Sequence, residues 1–273
     1  MEPRMSRSER VAYMTARLVA NPSRLFGLGD FARDLEVARS TVSEDLALIR
    51  TALEGGAGRI QTLPGAAGGV LYIPRSSAEH LDMIRRRLVD KLAEPERMLP
   101  GGFLYMTDLI FSPRWSEAFG TFFASYFEPL APDAVVTIET KGIPLALMTA
   151  RALGKPPVII RRNSRVTEGS SVSINYVSGS SQRIQTMSLP RRALTPKSRV
   201  VVVDDFLRGG GTVSGARDLL AEFEVEVLGT GVIAATAEPQ EKLLDDFISL
   251  VIIHHSSSDN LQVTSSAPEL PGV

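Results

Sequence analysis

The 273-residue chain contains no cysteine, so disulfides and thiolate metal sites are excluded. A reducing, intracellular setting fits that lack. No apolar run approaches the ~20 residues of a membrane span, and no charged n-region followed by an apolar h-region opens the sequence. An excess of charge is also missing. Thirty basic residues against 31 acidic ones give −1, which taken globally argues against a nucleic-acid binder. The neighbours His254 and His255 have no metal-type partners close by in sequence and read as a strand end. What remains is an ordinary globular composition, 44% hydrophobic and 22% charged. The expectation is a soluble cytoplasmic protein with no membrane association and no metal site, long enough for one large domain or two ordinary ones.

The charge is unevenly placed. Residues 1–75 hold ten arginines against eight acids, net +2, while the remainder holds 20 basic and 23 acidic residues. Any contact with DNA therefore belongs to the N-terminal part. There, Val11, Met14, Leu18 and Val19 repeat at helical spacing over Ser8–Ala20, and Asn21-Pro22 stops the pattern. A short amphipathic segment, Leu28–Leu35, turns at Glu36-Val37-Ala38 into a third helix from about Ser40 to Leu53. Its stripe is Val42, Leu46, Ile49 and Leu53, and Ser40 reads as its N-cap. Two short strands, Gly58–Leu63 and Gly69–Ile73, flank a Gly- and Pro-rich turn. Three helices and a hairpin make a winged helix-turn-helix over residues 1–75, with double-stranded operator DNA as its partner. The N-terminal residues of the third helix, Arg39, Ser40, Thr41 and Ser43, then face base edges. Arg39 suits guanine or a phosphate. Arg59, Arg75, Arg4, Arg7 and Arg10 suit phosphates. The competing reading is a small protein-interaction domain with ordinary surface arginines.

Residues 76–273 read as a second, α/β domain. Ala78–Ala93 is a helix whose run Arg85-Arg86-Arg87 reads as a solvated connector. Trp115, Phe119, Phe122, Phe123 and Phe127 form a stripe along a helix from Arg114, expected to be core or subunit contact. From Ala134 strands and helices alternate, which implies a parallel sheet. The strands expected are Ala134–Glu139, Pro157–Arg161, Val200–Val203, Val225–Ala235 and Ser249–His254, with a hairpin of Val172–Val177 and Arg183–Leu189. Helices are expected at Pro144–Leu153, Thr212–Glu222 and Pro239–Asp246, and Thr264–Val273 reads as a frayed tail.

The most informative stretch is Val200 to Thr212. Four β-branched apolar residues read as a strand buried on both sides. Asp204 and Asp205 stand at its carboxyl end. Phe206, Leu207 and Arg208 then lead to Gly209, Gly210, Gly211 and Thr212, which open a helix. Glycines at a helix N-terminus make an anion site, because the backbone approaches closely and first-turn N–H groups point at the ligand. The two carboxylates suit polyol hydroxyls, or a Mg²⁺ riding on the ligand. A sugar diol flanked by a phosphate is the natural guest. The stretch resembles the phosphoribosyl pyrophosphate (PRPP) motif of type I phosphoribosyltransferases, in which the acids hold the ribose hydroxyls and the Gly-Gly-Thr loop holds the 5′-phosphate.

Ligands of open α/β sheets sit at the carboxyl ends of strands. Glu139-Thr140-Lys141-Gly142 ends one strand and matches the pyrophosphate loop of those enzymes. Arg161-Arg162 ends the next, with guanidiniums suited to pyrophosphate oxygens. The turn Ser178, Gly179, Ser180, Ser181 lies where those enzymes carry a mobile loop. Where the 6-oxopurine enzymes have an acidic base, this chain has Arg208. Residues 5–255 as a whole resemble the Gram-positive purine operon repressors, through the segments 40–46, 101–108, 140–146, 173–181 and 204–212. One departure is Gly209, where the family carries alanine. The resemblance implies a homodimeric repressor of purine-synthesis genes, without catalysis or an obligatory cofactor, released from DNA by PRPP. It implies a ligand site of Tyr105, Lys141, Arg161 and Ser178–Ser180 around the 204–212 loop, where purine nucleotides such as guanosine tetraphosphate compete. The runner-up is a purine phosphoribosyltransferase with an accessory N-terminal domain.

Overall fold

The computed structural model describes residues 5–54, 56, 58–65, 67–99, 103–163, 169–177, 184–244, 246–255 and 261–266. Three helices open the chain: α1 (Arg7–Ala20), α2 (Leu28–Asp34) and α3 (Arg39–Leu53). α1 starts on a capping box. Ser6 Oγ accepts from the Glu9 N–H, and Glu9 accepts from the Ser6 N–H at 2.7 Å. The expected N-cap of α3 is corrected: the helix begins one residue before Ser40, and Ala38 occupies the cap without a side-chain bond. Met14, Leu18, Phe31, Val42, Leu46 and Ile49 bury a common core against Ile60, Val70 and Tyr72 of the antiparallel hairpin β1 (Gly58–Leu63) and β2 (Gly69–Pro74). Asp45, on the inner side of α3, is buried. It takes Arg10 Nε at 2.8 Å and Arg7 Nε at 3.3 Å, so these two arginines tie α1 to α3.

A capped helix, α4 (Ala78–Leu92), leads into the second domain. A two-residue ladder of β3 (Met98–Leu99) and β4 (Phe103–Leu104) precedes α5 (Thr107–Ile110). Arg97 pins this region through both carboxylate oxygens of Asp108, each at 2.8 Å, and through the Tyr105 carbonyl at 3.0 Å. The aromatic stripe lies on α6 (Pro113–Phe127), where Phe119, Phe122, Phe123 and Phe127 are fully buried, so it is core.

The sheet is built from β5 (Ala134–Ile138), then after α7 (Gly142–Leu153) from β6 (Pro157–Ile160). The hairpin β7 (Ser171–Val177) and β8 (Ile184–Pro190) stands outside it. β9 (Arg199–Leu207), α8 (Gly211–Ala221), β10 (Glu226–Thr236), β11 (Phe247–His255) and β12 (Leu261–Ser265) follow. The order is β12-β11-β10-β9-β5-β6, parallel throughout except for β12. Alternation along β9 feeds two cores: Val201 and Val203 face the helices α4, α6 and α7, while Val200 and Val202 face α8 and the β7–β8 hairpin. A fully apolar strand is what a centre covered on both faces requires.

Two expectations are corrected here. Pro239–Asp246 is not helical: its described residues run irregularly, because Leu243 and Leu244 are adjacent and form no stripe along one helix face. The segment from Thr264 does not fray throughout, since Leu261–Ser265 forms the antiparallel edge strand beside β11. The domains meet where Ser23 Oγ donates to the Ala152 carbonyl at 2.7 Å and where Arg59 pairs with Glu128 at 2.8 Å.

Candidate functional site

β9 carries its register past the apolar run, so Asp204 and Asp205 lie within the strand rather than beyond it. Asp204 is 7% exposed and Asp205 half-buried. Burial pushes the Asp204 carboxyl well above the usual carboxylate range, and the charge of Asp205 adds to this. Burial also raises Asp205, against the opposing pull of Lys141. Two cations act on the pair, Lys141 on Asp205 and Arg162 on Asp204. The first strand end, Thr140–Lys141–Gly142, is thereby brought to the motif. Its closeness is set by Gly142: a β-carbon there would lie 2.6 Å from Asp204 Oδ1 and closer still to Thr137 Oγ1. Thr137 Oγ1 is buried beside them with no hydrogen-bond partner among the described residues.

Glu139 organises the two strand ends. One oxygen accepts the Arg162 N–H at 2.7 Å and the other faces the Arg161 guanidinium at 3.4 Å. Arg161 itself bridges to Ser188 of β8 through its backbone. The Arg161 backbone thus joins the wall formed by β8, and the charge of Arg162 acts on Asp204.

The loop after β9 turns through Gly210 at φ 82°, a left-handed conformation that suits glycine. Gly210 caps α8 without a side-chain bond. The first-turn N–H groups of Gly211, Thr212 and Val213 have no intrahelical acceptor, the arrangement that receives a phosphate. Phe206 and Leu207 pack inward, whereas Arg208 is exposed. A support that sequence reasoning missed comes from the irregular segment after β10. The Leu243 N–H donates to the Gly209 carbonyl at 3.0 Å, and Leu244 packs under Gly210. Tyr105 is 43% exposed in the turn before α5. Ser178, Gly179 and Ser180 lie outside the described residues. The hairpin that carries them packs on α8, with Tyr176 filling the space over Gly215.

On the N-terminal domain, Arg39, Ser40 and Ser43 are exposed at the start of α3, and Thr41 is half-buried. The Arg39 guanidinium lies over Gly29 of α2, and Ser43 Oγ donates to the Arg39 carbonyl at 3.0 Å. Arg59, expected at a phosphate, pairs with Glu128 of the second domain at 2.8 Å. Arg7 and Arg10 are likewise committed to Asp45.

A winged helix joined to a phosphoribosyltransferase-type domain defines a two-domain transcription regulator. The family described as bacterial purine repressor, N-terminal, matches residues 6–74, and the phosphoribosyl transferase domain family matches residues 118–265. The chain is similar to the purine biosynthesis transcriptional repressor PurR of Bacillus subtilis (strain 168), 45% identical over 90% of this chain and 87% of that protein. It is also similar to the purine biosynthesis transcriptional activator PurR of Lactococcus lactis subsp. lactis, 37% identical over 90% of this chain and 92% of that protein. The protein belongs to this family of bacterial purine biosynthesis transcriptional regulators. Among solved structures, adenine phosphoribosyltransferase from Thermoanaerobacter pseudethanolicus shares the fold. Its TM-score is 0.53 at 19% identity, covering 61% of this chain and 98% of that one.

Proposed function

We propose that the protein is a homodimeric repressor that holds operator DNA of purine-synthesis genes through α3 and lets go when PRPP fills the pocket at the end of β9. The observation that carries this reading is the joining of the two parts in one chain: an exposed α3 N-terminus, and the carboxylates of Asp204 and Asp205 at the end of β9, just before the uncapped N-terminus of α8, with Gly142 packed against Asp204. Asp204 and Asp205 accept the ribose hydroxyls, or a Mg²⁺ carried by the ligand. The 209–212 loop takes the 5′-phosphate, and Lys141 and Arg162 take pyrophosphate oxygens. Purine nucleotides bearing a pyrophosphate, guanosine tetraphosphate among them, compete for the same cations. Repression rather than activation follows the relative of higher identity. Release requires that PRPP prefer the DNA-free state, since a ligand with equal affinity for both states shifts nothing. The absence of a carboxylate base in the motif loop, where Arg208 stands, counts against a 6-oxopurine enzyme but not against an enzyme for adenine or xanthine, whose loops also lack that acid.

The test is operator binding with and without PRPP and Mg²⁺, for the parent, for Asp204→Asn and Asp205→Asn singly, and for the double variant. An amide accepts only through its oxygen, and each charged hydrogen bond is worth about 1.5–3 kcal/mol. Each single variant should bind operator like the parent yet need roughly ten- to hundredfold more PRPP for release, and the double variant more still. Equal release in parent and double variant removes the pocket from the function. In a companion arm, Arg39→Ala should weaken operator binding by about 1–3 kcal/mol, the worth of one good base contact. Nucleotide formation from PRPP and a purine base at about 1 s⁻¹ or faster would move the reading to an enzyme.

A further inference from the structure

A second pocket lies on the seam between the domains, away from the PRPP motif. It is a cleft of about 570 Å³, walled by β2 and the residues after it on one side and by α4, α6 and α7 on the other. That volume is in the range of small-molecule sites. Its lining holds four guanidiniums, Arg75, Arg87, Arg114 and Arg151, against one carboxylate, Glu117. Glu117 is engaged by Arg151 at 3.5 Å. Arg87 and Arg114 are exposed and have no ion-pair or hydrogen-bond partner among the described residues. Like charges gathered in a concave wall raise the local positive potential. The N-terminus of α6 opens beside Arg114 with no side-chain cap, so the dipole of that helix adds to the same sign.

The cleft is not merely charged. Trp115 lines it, half-buried, with Phe119 stacked behind at 5.5 Å. Tyr72 reaches in from β2. Burial first, and Glu117 second, hold its hydroxyl above the usual range against the pull of Arg151. A flat apolar surface beside unpaired guanidiniums is the chemistry that recognises a planar ring carrying a phosphate.

We propose that this cleft is a second ligand site, for a mononucleotide-like organic phosphate, with Arg87 and Arg114 on the phosphate and Trp115 under the ring. A guest there touches both domains at once, and so fixes how the winged helix is set on the sheet.

Trp115 is the chain's one tryptophan, so its emission reports directly on the cleft. The full-length protein is titrated with AMP, GMP, ribose 5-phosphate and inorganic phosphate at constant ionic strength. AMP and GMP should change the emission saturably, ribose 5-phosphate should bind more weakly, and phosphate alone more weakly still. Arg87→Ala/Arg114→Ala should raise the Kd for AMP tenfold or more and leave PRPP-driven operator release as in the parent. Neither arginine supports a partner, so the fold should survive. Asp204→Asn/Asp205→Asn should leave the AMP titration unchanged, which separates this site from the PRPP pocket. The proposal is overturned by no saturable response up to about 10 mM, far weaker than the ~1 mM scale of loose ligands. It is overturned equally by a response that the arginine variant retains or the aspartate variant loses. An emission change that follows protein concentration instead of ligand would assign the cleft to a second copy of the chain and sink it as well.

Discussion

Gly142 has no room for a side chain, because its α-carbon faces Thr137 Oγ1 and Asp204 Oδ1 at the point where α7 begins. Gly142→Ala must push the 139–142 loop off β9. An added methyl in a tight site costs about 1–3 kcal/mol, so urea unfolding should show a loss of that order. PRPP affinity should fall with it, since Lys141 moves away from Asp205; a stable variant with parental PRPP binding would contradict this placement. Asp204 carries its own signature. Its folded carboxyl is raised by burial and by Asp205, so the stability this group contributes is present below the ordinary carboxylate range and is lost as pH rises through the folded value. Asp204→Asn should therefore melt above the parent at about pH 8, with the gap closing towards pH 4. Parallel melting curves across that range would mean the carboxyl is solvated after all.

Among elements, the irregular segment 238–244, where a helix over Pro239–Asp246 was expected, backs the loop after β9. Leu244 is 5% exposed beneath Gly210, and Leu243 binds the Gly209 carbonyl while its side chain stands 70% exposed. Leu244→Ala should cost about 2–5 kcal/mol of stability, as buried leucines do. It should also weaken PRPP, because the phosphate loop loses its backing; stability lost with PRPP affinity intact would confine Leu244 to packing. Elements with a clear period were legible: the stripes of α1, α3 and α6, and the four valines of β9. The edge strand β12 was not, because its buried Val263 stands between polar Gln262 and Thr264 and makes no run of alternation. The contiguous motif from Asp204 to Thr212 could be read directly. The placement of Glu139 and Thr137 could not, since it depends on which way side chains point as a strand ends.

For the whole molecule, the contact of Ser23 with the last turn of α7 is one of the links between the domains. Ser23 sits at φ 58°, its hydroxyl on the Ala152 carbonyl, against the cap residue Gly154. Ser23→Ala removes a hydrogen bond worth about 1 kcal/mol. PRPP affinity should stay at the parental value while the PRPP-induced loss of operator affinity shrinks, which paired titrations of PRPP and DNA would measure. Unchanged coupling would show that the signal crosses elsewhere. The helix behind this contact has 12 residues, about 18 Å at 1.5 Å per residue. One of its ends rests on Asp204 and the other on the winged helix. A packed helix neither stretches nor shortens, so on the proposed function α7 should act as a pushrod, and a shift of Gly142 should reach Ser23 with little loss.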